Sequence, residues 1–499
     1  MKLLFAASEI FPLAKTGGLA DVAGALPVAL HRAGLDIRLL MPAYRDIAQK
    51  ADAKPIAKLG DPFGLGETTV LEGHLPGNRL PLWLIDNPDL FDRSGGPYQD
   101  ENGIDWPDND MRFALLSWAA ARLCQANSPL AWKPDILHTH DWQTSLASAY
   151  LKAWGEPGPG LVFTIHNMAY QGLFPSALVP RLGLPWSFYT MEGFEYWNQL
   201  SYLKAGLVFA DKLTTVSPTY AREIQTPAFG FGMEGVLSSR ARDLRGILNG
   251  ADYEIWDPSC DKLLHHPYGI DDVGPGKAAN KAALQRELGL PVSPDAPLLV
   301  VVSRLSDQKG MDLLLSVMPA VIAQGGQLAL LGSGQRGMED AFVALAESRP
   351  SHVAMHIGYS EELAHRLQAG GDIVLMPSRF EPCGLTQIYA MRYGTLPVVH
   401  RTGGLADTVV DATYDSMFQG TATGFVFEQP TASAFQWGIE RAIGIYRHPD
   451  QWARLQASAM RQQFSWERSA DDYLDLYRSL RPNALPPRTS RPRMNAPGK

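Results

Sequence analysis

Short apolar runs alternate with stretches of helical periodicity along most of the chain. Residues 3–7, 37–41, 82–85, 136–138, 161–165 and 213–216 read as strands, and a second series follows at 298–302, 328–331, 373–376 and 396–399. Between them the periodicity predicts helices over 19–32, 111–125, 311–323, 361–369 and 385–393. Strand and helix in alternation imply an α/β protein whose parallel sheets are covered on both faces. An irregular stretch rich in proline and glycine, 245–276, separates the two series. The pattern predicts a first domain over 1–245 and a second over 246–459. Residues 481–499 hold five prolines, five basic residues and no acid, a composition expected to be disordered.

Length and composition sharpen this picture. A chain of 499 residues exceeds one ordinary core and suits two domains, and 45% apolar content lets both bury one. The net charge of −8 argues against a nucleic-acid partner, because phosphate neutralisation needs a basic surface. Cys124, Cys260 and Cys383 are odd in number and far apart, which suits a reducing cytoplasm rather than a disulfide framework. The apolar start of the chain ends at Ser8-Glu9, short for a secretion signal, and no apolar stretch reaches membrane-spanning length.

One seven-residue pattern occurs twice. Lys15-Thr16-Gly17-Gly18-Leu19-Ala20-Asp21 returns as Arg401-Thr402-Gly403-Gly404-Leu405-Ala406-Asp407. Each copy follows a strand and opens a helix, where glycines admit a close ligand and the helix N-terminus attracts an anion. One copy per domain suggests two similar sheets facing one anionic ligand. Arg304 and Lys309 follow the strand 298–302, at the strand end where ligands of parallel sheets sit, with charges suited to phosphate. Glu381, Cys383, Gly384, Leu385 and Thr386 follow the strand 373–376. Backbone amides at 384–386 suit a diphosphate; Glu381 reads as a ligand group or a helix cap, and Cys383 as a small structural residue or a thiol activated by the helix.

His138 and His140 alternate to one face of a strand, and a metal pair is the weaker reading because no further ligand lies at suitable spacing. His140-Asp141-Trp142 and His166-Asn167 fit a sugar site better, with hydroxyl-bonding groups beside an aromatic face. Gly332-Ser333-Gly334-Gln335-Arg336-Gly337 matches a dinucleotide pattern but lacks an acid about twenty residues on, so it reads as a nucleotide-side loop or a plain turn. Asp110 reads as the N-cap of the helix 111–125 rather than part of an Asp-x-Asp metal motif.

Together, Lys15–Val22, His140-Asp141-Trp142, Thr164–Gly172, Thr214–Tyr220, Gly246–Gly250, Ser303–Leu305 with Gln308–Gly310, and Arg379–Gln387 resemble the bacterial glycogen synthases and plant starch synthases that use ADP-glucose. The resemblance runs from residue 1 to about 480. It implies a GT-B fold, two Rossmann-like domains with a deep cleft between them, and a helix at about 460–480 that crosses back to the first domain. It implies transfer of glucose from ADP-glucose to the non-reducing end of an α-1,4-glucan with retention, in the cytoplasm, with no metal or cofactor and no nucleic-acid or membrane partner. By the same resemblance Lys15 binds the donor, Arg304 and Lys309 meet its diphosphate, Glu381 lies near the donor glucose and His166 beside its reacting carbon. Asp21, Asp141 and Asn249 line the site with Gly17 and Gly18, and Tyr359 stacks on adenine. Ala251 departs from the family, which usually has a branched aliphatic residue there; Tyr389 stands where many related transferases carry a second glutamate, as this subfamily permits, which weighs against the broader UDP- or GDP-sugar group. A UDP-glucose transferase, an NAD-dependent oxidoreductase and a non-catalytic glucan binder are the competing readings.

Overall fold

The computed structural model describes residues 1–484; of the tail 481–499, expected to be disordered, residues 481–484 continue from the last helix as a turn, with Arg481 N–H bonded to the Tyr477 carbonyl, and 485–499 lie outside the described residues. The chain divides into two compact units. The first comprises Met1–Thr214, Ser239–Leu244 and the chain from Ser469; the second comprises Thr215–Ser238 and Arg245–Arg468. The short segment Thr215–Ser238 precedes residue 245 yet packs in the second unit, where Thr219 binds the Asp407 carboxylate and Ser217 binds the Pro382 carbonyl.

In the first unit the strands are β1 (Lys2–Ala6), β2 (Asp36–Pro42), β3 (Lys54–Gly60), β4 (Thr68–His74), β5 (Pro81–Asp86), β6 (Ile136–His140), β7 (Gly160–Ile165), β8 (Leu173–Pro175), β9 (Glu195–Tyr196), β10 (Gln199–Ser201) and β11 (Lys212–Thr215), followed by β12 (Leu244–Gly246). The large sheet runs β12-β11-β7-β6-β1-β2-β5-β4-β3. Its middle, β7-β6-β1-β2-β5, is parallel, whereas β3 and β4 form an antiparallel edge. β1 and β7 are buried on both faces, which accounts for their largely apolar character; β6 is equally buried although it carries His138, Thr139 and His140. The outermost strand β3 carries the lysines Lys54 and Lys58, which discourage further edge pairing. Three short strands, β8-β10-β9, form a separate antiparallel sheet.

The second unit holds β13 (Leu298–Val302), β14 (Gln327–Gly332), β15 (Val353–Ile357), β16 (Ile373–Met376), β17 (Leu396–His400) and β18 (Phe425–Phe427), ordered β15-β14-β13-β16-β17-β18 and all parallel. This is the doubly wound order, and its direction of winding reverses between β13 and β16. One face packs on Leu314, Val317, Phe435 and Ile439, the other on Leu284, Leu363, Leu367 and Leu405. Two buried lysines of the helix Val273–Glu287 anchor the near ends of these strands. Lys281 pairs with Asp372 at 2.7 Å, and Lys277 donates to Thr395 and to the carbonyls of Gln368, Ala369 and Tyr393.

The last described helix, Trp466–Leu480, begins in the second unit and from Ser469 belongs to the first. There Tyr477 is fully buried, and its hydroxyl lies 2.8 Å from Nδ1 of His138. Nε2 of His138 lies 2.6 Å from the Thr164 hydroxyl. Both ring nitrogens are thus used internally, and none is left for the metal pair considered for His138 and His140. Tyr477→Phe should therefore cost about 1–2 kcal/mol, the size of one buried hydrogen bond whose partner is left unsatisfied; a denaturant titration followed by tyrosine and tryptophan fluorescence measures it.

Candidate active site

In each unit the chemically active side chains collect at the carboxyl ends of the central parallel strands, where the winding reverses. In the second unit the loop after β13 carries Arg304 and a 3₁₀ turn, Asp307–Lys309, that ends in Gly310 at φ 68°. A Cβ at Gly310 would lie 2.1 Å from the Pro377 carbonyl oxygen, so glycine lets this loop press against the chain leaving β16. Across that contact Nζ of Lys309 meets Oε2 of Glu381 at 2.6 Å, and the Ser378 hydroxyl donates to the same oxygen at 2.9 Å. Glu381 is only 5% exposed, so the ammonium is its charge partner in a nearly dry setting. Arg379 braces the arrangement by donating to the Asp307 carbonyl and to both carboxylate oxygens of Asp312. Arg304 stays exposed, with Nη2 3.4 Å from Oε1 of Gln308. The sequence alone gave no sign of Ser378 or Arg379 as supports.

The other second-unit candidates separate by chemistry. Cys383 is buried, which pushes its thiol up to about 12 even though the Asn249 amide N–H points at it, so it packs and does not attack. Asn249 is buried against it. Gly384 sits at φ 72° and turns the chain into the helix Thr386–Arg392, one residue later than the predicted Leu385 start. Tyr359 is 67% exposed after β15, and its hydroxyl donates to Glu361. Tyr389, which stands where many related transferases carry a glutamate, stacks on Trp256 with ring centroids 4.1 Å apart; Trp256 stacks in turn on His365. An aromatic ring there completes a packed column. Gly332 and Gly334, which suggested a dinucleotide loop, lie where a Cβ would meet the carbonyl oxygens of Ser303 and Leu305 at 2.0 and 2.3 Å. These glycines seat the Arg304 loop.

In the first unit Glu9 follows β1, Asp141 follows β6 and His166 follows β7. Glu9 is 3% exposed, and its Oε2 accepts from the backbone N–H and the hydroxyl of Thr16 at 2.5 and 2.7 Å. Burial, with Asp21 adding repulsion, raises its carboxyl to about 7. Burial likewise raises Asp141 to about 7, although Asp141 accepts from the His166 N–H at 2.7 Å. Asp141 adopts φ 54°, a left-handed conformation that turns the chain sharply at the strand end. His166 is buried and pulled down to about 3, so its imidazole is neutral at pH 7 and can bond a hydroxyl without adding charge. Its Nε2 lies 3.0 Å from Nδ1 of His140. Lys15 pairs with Asp21 at 2.8 Å on its own loop. Glu9 escaped the sequence reading; its signal was an acid three residues after an apolar, largely buried strand.

Asp108-Asn109-Asp110 serves packing. The helix spans Asn109–Cys124, so its N-cap is Asp108, not Asp110, because Arg112 N–H already bonds the Asp108 carbonyl. Asp108 is held by Arg93, and Asn109 donates to the Tyr98 carbonyl, which steadies Tyr98 against the Ser8 hydroxyl.

The repeated pattern proves to be two different devices. Both copies use their threonine to bind a carboxylate of the protein itself: Thr16 binds Glu9, while Thr402 and the Gly403 N–H bind Glu223. The second copy also follows β17, the fifth strand of its sheet, where the first follows β1. A Cβ at Gly403 or Gly404 would lie 1.9 or 2.0 Å from the carbonyl oxygens of Glu381 and Cys383, whereas Gly17 and Gly18 face open space. The second copy therefore supports the Glu381 loop from behind, and the expectation of paired anion sites is corrected.

Two predictions follow from these contacts. Gly404→Ala should destabilise the protein by about 3 kcal/mol through backbone overlap, while Gly18→Ala changes stability by less than about 1 kcal/mol; urea titrations of the two variants check the contrast. For Glu9, the folded state keeps its proton up to about pH 7 while the unfolded chain releases it near 4.5. The folded protein thus binds more protons in that window, and stability contributed by the neutral acid is lost as pH rises through it. Glu9→Gln should be more stable than wild type at pH 8, by up to ~3 kcal/mol, with the gain vanishing at pH 4; melting curves across pH measure it.

Comparison with known proteins agrees with this geometry. A family model described as the starch synthase catalytic domain matches residues 2–239, and one described as glycosyl transferases group 1 matches residues 289–455. The glycogen synthase of Paramagnetospirillum magneticum is 60% identical over 486 residues, covering 97% of this chain and 98% of that protein. That of Rhodospirillum rubrum is 49% identical over 96% of this chain and 98% of its own length. The catalytic domain of Starch Synthase IV from Arabidopsis thaliana, solved bound to ADP and acarbose, is 32% identical with a TM-score of 0.86, covering 96% of this chain and 99% of that one. Sucrose-phosphate synthase from Thermosynechococcus elongatus, 17% identical with a TM-score of 0.58 over 97% of this chain and 100% of its own, shares the fold. With two Rossmann-like parallel-sheet units of the GT-B class, the chain belongs to the glycogen synthase and starch synthase family of glycosyltransferases.

Proposed function

We propose that the chain transfers glucose from ADP-glucose to the non-reducing end of an α-1,4-glucan with retention, acting in the cytoplasm without metal, cofactor, membrane or nucleic acid. The observation that carries this reading is the 2.6 Å pair between Lys309 and Glu381 at the point where the second sheet reverses its winding. A nucleotide diphosphate settling there meets Arg304 and Lys309, and Glu381 holds the ammonium in place until it does. ADP in particular is supported by the Arabidopsis starch synthase, solved with ADP bound, and by Tyr359, whose exposed ring offers a face to a base. The charge of −8 is unsuited to nucleic acid, and no described helix is long and apolar enough to cross a membrane.

The leaving group is a diphosphate, so departure needs charge stabilisation more than a proton donor. As the bond from the anomeric carbon to the phosphate oxygen breaks, Arg304 and Lys309 take up the charge that grows on that oxygen. The acceptor hydroxyl forms its new bond on the same face, and its proton passes to the departing phosphate, which preserves the configuration. Glu381 stabilises the positive character of the glucosyl group. His166, neutral by burial, and Asp141 bind sugar hydroxyls. Lys15, with Gly17, Gly18 and Asp21, contributes a further cation to the donor, and Asn249, Cys383, Gly384, Leu385 and Thr386 shape the turn around it.

Incorporation of labelled glucose into a glycogen primer tests the reading. ADP-glucose should be used and UDP-glucose poorly, and chelation of divalent metals should leave the rate unchanged. Lys309→Ala and Lys15→Ala should weaken ADP-glucose use, the former by roughly 100-fold in kcat/KM, and Glu381→Ala should mainly lower kcat. Preference for UDP-glucose, or an unimpaired Glu381 variant, would overturn the donor assignment or the role of Glu381.

A further inference from the structure

A strained aromatic turn in the first unit has no part in the chemistry above. β9 and β10 pair with Tyr196 opposite Gln199, which leaves a two-residue hairpin loop of Trp197 and Asn198. Both residues are left-handed, at φ 49° and 61°. Tight hairpin loops of this kind favour Asn-Gly, because a bulky side chain at positive φ crowds the backbone. Trp197 accepts that conformation and is nonetheless 80% exposed, so it gains little burial in return. Strain held without compensating packing marks a residue kept for contact with something else.

The turn is fixed rather than floppy. Oε1 of Glu195 accepts from the Asn198 N–H at 2.7 Å. The buried Lys204 ammonium donates to the carbonyls of Glu195 and Met191, 2.6 Å to each, and so ties the hairpin to the neighbouring loop. That loop presents Met191, 74% exposed, and Trp186, 54% exposed. On the next strand Leu173 and Pro175 share the outer face of the small sheet with Gln199 and are exposed as well. The inner face is committed to the core: Phe174 packs on Trp142, the residue after Asp141, at 5.6 Å between ring centroids. Gly172 permits that approach, since a Cβ there would meet the Trp142 ring at 2.5 Å.

The ligand class follows from what surrounds the rings. Glu192 and Glu195 flank the turn, so the surface repels anionic lipid and nucleic acid. Tryptophan faces beside carboxylate and amide groups, here Glu195, Asn198 and Gln199, suit a neutral polyhydroxylated chain: the rings cover the apolar faces of the sugars and the polar groups bond their hydroxyls. We infer that the Trp197–Asn198 hairpin is an auxiliary glucan-binding site, which holds a stretch of the polymeric acceptor apart from the chain end that reacts. This rests on the glucan-elongating function proposed above.

The test uses Trp197→Asn in the full chain, because asparagine adopts the left-handed conformation readily and keeps the turn. Mobility in native gels containing glycogen gives the dissociation constant, and kinetics with glycogen and with a short maltooligosaccharide separate the auxiliary site from the reacting one. The variant should bind glycogen about tenfold more weakly and raise KM for glycogen, with kcat, the ADP-glucose KM and the short-acceptor KM unchanged. Trp197→Phe should restore most of the retardation. Unchanged retardation in Trp197→Asn would overturn the inference, as would a change of oligomeric mass in the variant, which would make the platform a contact between copies. Wild-type protein that fails to elongate any glucan from ADP-glucose would instead overturn the functional reading itself.

Discussion

Glu381 is a carboxylate placed where almost no water reaches, and the second unit is arranged around its contact with Lys309. An ionised acid in such a place needs a close cation and further donors, and it receives Lys309 and Ser378. Meeting that need joins the loop after β13 to the loop after β16. The glycines follow from it. Gly310 lets the first loop press on Pro377, Gly403 and Gly404 back the second loop, and Gly332 and Gly334 seat Arg304 from the other side. Glycine-rich motifs that look like phosphate cradles are, at all five of these positions, places where one backbone lies against another.

The first unit solves the same problem with a different sign. Glu9 and Asp141 are crowded together at the ends of β1 and β6 with few cations, and burial drives both up to about 7. Near neutral pH they share their charge with solvent protons, and the adjacent imidazole of His166 stays uncharged. This is a neutral-leaning, hydrogen-bonding surface suited to sugar hydroxyls, whereas the second unit offers cations suited to phosphate.

Much of this was legible in the sequence. The buried parallel strands were read to within a residue or two because apolar runs such as Leu298–Val302 and Ile373–Met376 have one physical explanation. What escaped lacks that signature. β3 is an exposed edge strand, β15 is buried only in its first half, β18 has three residues, and β8-β10-β9 alternates over too few positions to register. At the site, Lys309, Glu381 and His166 stood out by residue type after a strand. Glu9 shares that placement and was passed over, whereas Ser378 did not stand out, since its importance lies in a partner, Glu381, that the turn after β16 brings close. The repeated Thr-Gly-Gly pattern misled at its second copy for a physical reason: the anion it attracts there is supplied by the protein, as Glu223.

The central claim is that Glu381 holds Lys309 ready for a diphosphate and competes with it for that ammonium. Calorimetric titration of ADP into wild type, Lys309→Met and Glu381→Gln tests this most directly. The account predicts opposite signs: weaker ADP binding by roughly 100-fold when the ammonium is lost, and equal or tighter binding when the carboxylate becomes an amide. Loss of ADP affinity in Glu381→Gln comparable to that in Lys309→Met would contradict it.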